Sequence, residues 1–155
     1  MRKGNSQSEY RNIAKARLKS VEILLIAGDW HLACYVMGQA LECALKASIC
    51  KTLRIPRYPE GHKDQKLVNF FMTHTFDRLL ILSGLNDIFN AGGDPSVYDN
   101  WSSFTIRYPG EWTAMRYNDP QSNEFNDEVL AKKLFKYLYE DEDSIIKTIS
   151  KCRRW

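Results

Sequence analysis

The stretch from Asp29 to Leu53 constrains the fold more than any other. Trp30, Ala33, Cys34, Met37, Leu41, Ala44 and Leu45 recur at the spacing of one helix face, and Leu32, Val36, Ala40 and Cys43 widen that face. Polar residues keep to a single line, His31, Tyr35, Gln39, Glu42 and Lys46, stacked at steps of three or four. A helix apolar over most of its circumference needs neighbours on several sides, so this one is predicted to be the centre of a bundle. Asp29 suits its N-cap, and Gly28 ends whatever precedes it.

A first helix, from about Ser8 to Ala27, carries Tyr10, Ile13, Ala14, Leu18, Val21, Leu24 and Leu25 on its apolar side, with Arg11, Lys15 and Lys19 along another. Two long helices joined by one or two residues must lie antiparallel, which makes the pair a helical hairpin. Pro56, Pro59 and Gly61 turn residues 54–62 into a loop. Apolar residues resume at Leu67, Val68, Phe70 and Phe71, and Thr75 starts a short helix through Phe76, Leu79, Leu80 and Leu82 that Gly84 closes. A further helix is expected from Pro95 to about Ile106, and a last one from near Asn126 to about Lys151 with Val129, Leu130, Leu134, Tyr137, Leu138, Ile145 and Ile149 inward. No alternating β-branched run suggests a strand. The predicted fold is all-α, an up-and-down bundle of four to five helices built on a long antiparallel hairpin. It is read as a single domain over residues 1–155, with residues 1–8 a flexible tail.

Composition excludes more than it selects. A net charge of +3 permits an anionic partner without requiring one. No apolar run approaches the ~20 residues that span a bilayer, and the amino terminus has no apolar leader, so a cytoplasmic protein without membrane contact is expected. Cys34, Cys43 and Cys50 share the central helix, Cys152 stands apart, and no CxxC occurs, which argues for reduced thiols and no structural zinc. Gly92 and Gly93 lack the GKS/T tail of a phosphate loop, and neither HExxH nor GxSxG is present. No metal and no cofactor is expected.

Three blocks resemble a known family. Gly28-Asp29-Trp30-His31-Leu32-Ala33 followed by Ala40-Leu41-Glu42-Cys43-Ala44-Leu45-Lys46-Ala47 resembles the hairpin signature of the HEPN domains (higher eukaryotes and prokaryotes nucleotide-binding), with its A-x-E-x-x-L-K-A core. His74-Thr75-Phe76-Asp77-Arg78-Leu79-Leu80 is similar to their H-D-L-x-x-L block, and Asn100-Trp101, Trp112 and Arg116-Tyr117 to the tryptophan and Arg-Tyr block before the last helix. The resemblance covers roughly residues 8 to 150. It implies a four- or five-helix bundle, usually dimeric, from toxin–antitoxin, phage-defence or nucleotide-handling systems, with a nucleotidyltransferase-like protein as one kind of partner.

Ribonuclease members of that family resemble one another at an Arg followed four to six residues later by His. This chain departs there, since residues 117–123 after Arg116 contain no His. Arg57 to His62 satisfies the spacing but lies in the Pro/Gly loop, and we read it as a chance match.

The candidate nucleotide- or RNA-binding residues are therefore Arg116, Tyr117, His74, Arg78, Glu42 and Trp112, with no catalytic residue assigned. Each has a structural reading beside the functional one. His74 offers an acid–base group or orients the short third helix. Arg116 clamps a phosphate, with Tyr117 offering a ring to a base, or it pairs with Glu42 inside the bundle. Trp101 and Trp112 stack on a ligand or fill the core. The ridge of Arg11, Lys15 and Lys19, with Arg54, Arg57, Lys63 and Lys66 in the loop, tracks a nucleic-acid backbone or is a solvated face. The first reading is a non-catalytic HEPN-like domain binding a nucleotide, RNA or a protein partner, as a homodimer. The alternatives are a metal-independent endoribonuclease using Arg116 with His74 or His62, and a purely structural dimerisation module.

Overall fold

The computed structural model describes residues 4–60 and 63–155, and every regular element among them is helical. Helix α1 (Gln7–Ala27) opens with a capping box: the Ser6 hydroxyl accepts the Glu9 amide and the Glu9 carboxylate accepts the Ser6 amide. Gly28 closes it at φ 76°, in the left-handed region that a side chain would strain. Asp29 then caps α2 (Trp30–Leu53) by accepting the Leu32 amide, so two residues reverse the chain and the expected hairpin forms.

Helix α2 is the centre of the bundle. From Ala33 to Cys50 every residue but Gln39 and Cys43 is buried. Met37, Leu41, Leu45 and Ile49 are fully enclosed, each worth roughly 1.5–3 kcal/mol of burial. The polar line is enclosed as well, with His31, Tyr35, Glu42 and Lys46 all below a tenth exposed.

The loop after α2 packs onto α1. Tyr58 is buried, donates its hydroxyl to the Phe71 carbonyl at 2.8 Å, and donates its backbone amide to Asn5. Of the tail expected over residues 1–8, residues 1–3 lie outside the described residues, while Gly4 accepts a hydrogen bond from Arg57 and a side chain at Gly4 would collide with the Tyr58 carbonyl. Helices α3 (Gln65–Phe71), α4 (Phe76–Ser83) and α5 (Pro95–Thr105) follow, with Asp64 and Asp94 capping α3 and α5.

A 3-10 turn over Trp112–Tyr117 is held on α2 by an aromatic cluster. Phe76 and Trp112 stack at 5.3 Å, Phe104 and Tyr108 at 4.6 Å, and the Tyr108 hydroxyl donates to the Cys34 carbonyl at 2.8 Å. Trp101 and Trp112 are both core residues.

The expected single last helix is interrupted. Helix α6 (Glu128–Phe135) runs into a widened π turn over Lys136–Glu140, the chain bends, and α7 (Ile145–Lys151) restarts from a Ser144 cap. Four successive carboxylates, Glu140 to Asp143, disfavour continued helix, since aspartates compete for the backbone and acidic side chains are unfavourable at a helix C-terminus, and Asn100 takes the Asp143 carbonyl instead. Lys147 and Lys151 reach back to the freed carbonyls of Glu140 and Glu142, both at 2.8 Å. The expected all-α bundle on its hairpin is thus what forms, with seven α-helical segments among the described residues once the short ones are counted separately. No helix among the described residues is long and apolar enough to cross a membrane.

Candidate functional site

The cleft that gathers the predicted residues lies against the middle of α2. Tyr35, Gln39 and Glu42 form its floor, Ile13 and Arg17 of α1 one wall, and His74, Trp112, Thr113 and Arg116 the other. Its depth follows from Gly38. A Cβ there would stand 2.6 Å from the Trp112 ring, so only glycine lets the 3-10 turn approach α2 closely enough. Trp112 is buried and donates its indole N–H to the His74 carbonyl at 2.7 Å, which fixes the backbone that carries the imidazole.

The imidazole is also oriented from below. Nδ1 of His74 lies 2.9 and 3.0 Å from the two Glu42 carboxylate oxygens, and Nε2 has no partner among the described residues. Glu42 in turn is 3.0 Å from the Lys46 ammonium, which reaches Glu60 at the same distance. The Tyr10 hydroxyl donates to Glu60 at 2.6 Å, and the rings of Tyr58 and Tyr10 face the ammonium at 4.9 and 5.6 Å. A polar chain therefore crosses the bundle from α1 through Glu60, Lys46 and Glu42 to His74. It is satisfied at each step, as a network in a low-dielectric interior must be.

The titrations follow from that chain. Burial opposes ionisation of Glu42, but the bond to His74 and the Lys46 ammonium outweigh it and hold the carboxyl below its ordinary range. Burial likewise opposes the charge on Lys46, and Glu42 and Glu60 overcome it. The Glu42 hydrogen bond raises His74 above its ordinary value, against partial burial and against repulsion from Lys46 and Arg116. Burial pushes the Cys43 thiol up to about 12.

Arg116 and Glu42 share the cleft but do not pair, which corrects that alternative. Glu42 has Lys46 and His74, whereas Arg116 lines the cleft with Tyr35, whose hydroxyl favours its charge, and lies 4.7 Å from the ring of Tyr117. Tyr117 is 79% exposed beside it. Trp112 supports His74 from within the core, so the ligand-stacking reading of its ring is set aside. Arg78 is exposed on α4 and does not line the cleft. His62 lies outside the described residues. Of the basic ridge, Arg11 reaches the Trp155 carbonyl and Lys15 its ring, while Arg57 bonds Glu9.

The sequence placed Lys46 on the polar line without assigning it to the site, and gave no sign of Arg17, Glu60 or the Tyr10 hydroxyl there. Tyr35 and Gln39 were on the polar line that should have named them. Arg17 stands one turn after Ile13, a spacing that puts both on one face, but nothing in the sequence says which face meets the cleft.

The family model of the HEPN domain matches residues 7–138, most of the chain and every residue lining the cleft. No curated protein and no solved structure matches.

Proposed function

The chain belongs to the HEPN domain family, and from that membership and the cleft we propose that it binds the phosphate of a nucleotide or an RNA without cutting it. The observation that carries the reading is the charge arrangement. Lys46 is shared between Glu42 and Glu60, and Glu42 takes His74 as its second partner, so those two carboxylates are met by Lys46 and a His74 biased toward its cationic form, and Arg17 and Arg116 leave the cleft with a surplus of positive charge. About 230 Å³ is below the ~300–1,000 Å³ of sites that enclose whole small molecules. A phosphate with part of its sugar fits, and the base would lie outside, where Tyr117 presents its ring.

Metal-independent cleavage needs one group to take the 2′-hydroxyl proton and another to protonate the leaving oxygen. In the cleft Glu42 is held ionised and burial keeps Cys43 a thiol, which leaves the His74 imidazole to exchange a proton near neutrality, one group where two are needed. One observation favours the ribonuclease as a second reading: a carboxylate orients Nδ1 and leaves Nε2 open, the geometry of a general base. A homodimer and a nucleotidyltransferase-like partner belong to the proposal through family resemblance.

The test is binding of AMP, adenosine and a fluorescent single-stranded RNA to wild type, Arg116→Ala and Arg17→Ala. AMP should bind and adenosine should not, with either variant weakening AMP at least tenfold. Equal binding of adenosine would refute phosphate recognition, and no binding of any would leave the structural module. RNA incubated with EDTA should stay intact. Turnover that vanishes in His74→Ala would overturn the reading in favour of the ribonuclease.

A further inference from the structure

Helix α1 lines a second concavity on a face away from Ile13 and Arg17. Lys15, Leu18, Lys19 and Glu22 form one side, and Tyr139, Ile146, Lys147, Ser150 and Trp155 the other. The hollow measures about 360 Å³, inside the range of small-molecule sites. Its depth is apolar, from Leu18, Ile146 and the two aromatic rings, and its mouth is cationic. Lys15 and Lys19 make no ion pair among the described residues, while Lys147 is 3.7 Å from a Glu142 oxygen. Among the described residues Glu22 is the one acidic side chain in the lining, with Glu142 outside it beside Lys147.

The cations are placed over the walls. The Lys15 ammonium is 5.8 Å from the Trp155 ring and the Lys147 ammonium 5.9 Å from the Tyr139 ring. An anionic head at the mouth would meet these ammonium groups while its body covers ring faces below them. A nucleic-acid backbone would use the lysines but leave the apolar depth empty. An apolar ligand would fill the depth but leave the lysines unmatched.

We propose that this hollow between α1 and α7 is a second binding site, for a small amphiphilic anion with an aromatic or alkyl body. Lys15, Lys19 and Lys147 hold the head, and Leu18, Ile146, Tyr139 and Trp155 hold the body. The site shares no residue with the phosphate cleft, so the two readings stand or fall separately.

The experiment compares 1-anilinonaphthalene-8-sulfonate with N-phenyl-1-naphthylamine, the same ring system without the anion, by fluorescence titration of the full chain. The sulfonate should bind saturably at one per chain and at least tenfold more tightly than the neutral probe. Lys15→Glu/Lys19→Glu, both exposed, should lose that preference with an unchanged urea midpoint. Ser150→Trp, also exposed, should block both probes, and Arg116→Ala should change nothing. Equal affinity for the two probes, or undiminished sulfonate binding by either the double variant or Ser150→Trp, would overturn the proposal. Monomeric dodecanoate should displace the sulfonate; displacement only by phosphatidylglycerol vesicles would overturn it in favour of a lipid surface.

Discussion

Replacing Glu42 by Gln keeps the shape of the side chain and removes the charge that joins Lys46 to His74. The carboxylate side chain is 12% exposed and the Lys46 side chain 9%. Breaking such a buried pair from one side costs roughly 3–5 kcal/mol when the remaining charge is left alone. Here Lys46 keeps Glu60 at 3.0 Å and two tyrosine faces, and His74, with 54% of its side chain exposed, can turn to water. The expected loss is therefore smaller, about 1–3 kcal/mol, the cost of one unmet charged hydrogen bond. At about 2–4 °C per kcal/mol for a chain of this size, Tm should fall by roughly 2–12 °C. The same change removes what raises the imidazole and leaves the repulsion of Lys46 and Arg116, so His74 should titrate below its ordinary 6.5 instead of above it. Urea unfolding and an NMR titration of the His74 ring, identified by its disappearance in His74→Ala, read both effects. A double-mutant cycle with Lys46→Met should show the pair less costly to remove together than the sum of the single losses. An unchanged His74 titration in Glu42→Gln would refute the argument, and so would additive costs in the cycle.

Gly38→Ala should destabilise by about 1–3 kcal/mol through its clash with the Trp112 ring, although alanine is ordinarily the better helix former; a higher urea midpoint would show that the contact is not tight. The His74–Glu42 pair should give a stability contribution bounded on both sides. The raised imidazole contributes fully below its ordinary 6.5 and is lost as pH rises through its folded value; the lowered carboxyl contributes above its ordinary 4.5 and is lost as pH falls through its own. The Tm difference between wild type and His74→Gln should therefore be largest between about pH 4.5 and 6.5, and a flat profile would contradict the pairing. Arg116→Ala should leave the urea midpoint at the wild-type value, because an exposed guanidinium supports ligand binding rather than the core, and a lowered midpoint would contradict this. Sedimentation should give a homodimer at tens of micromolar, with Ile23 and Ile26, 67% and 89% exposed on one face of α1, as apolar surface for it; a monomer would remove that expectation.

The hairpin was legible in the sequence because its signals are local. Apolar spacing, Gly28 and Asp29 each act within one or two turns, and α2 declared its central place by being apolar on nearly every side. The polar line of α2 was equally visible, and it holds Tyr35, Gln39, Glu42 and Lys46 of the cleft and its support. Which residues meet that line was not legible. Glu42 finds Lys46 one turn away but finds His74 across 32 positions of chain, and Arg116 beside Tyr35 depends on how deeply Trp112 seats against Gly38. The break between α6 and α7 has the same character, since Asn100 from another helix takes the carbonyl that a continuous helix would have kept. Pattern within a turn or two is fixed by backbone geometry, which every sequence of that pattern shares. Partnerships between distant segments are decided by packing, where a single missing Cβ sets whether two side chains touch.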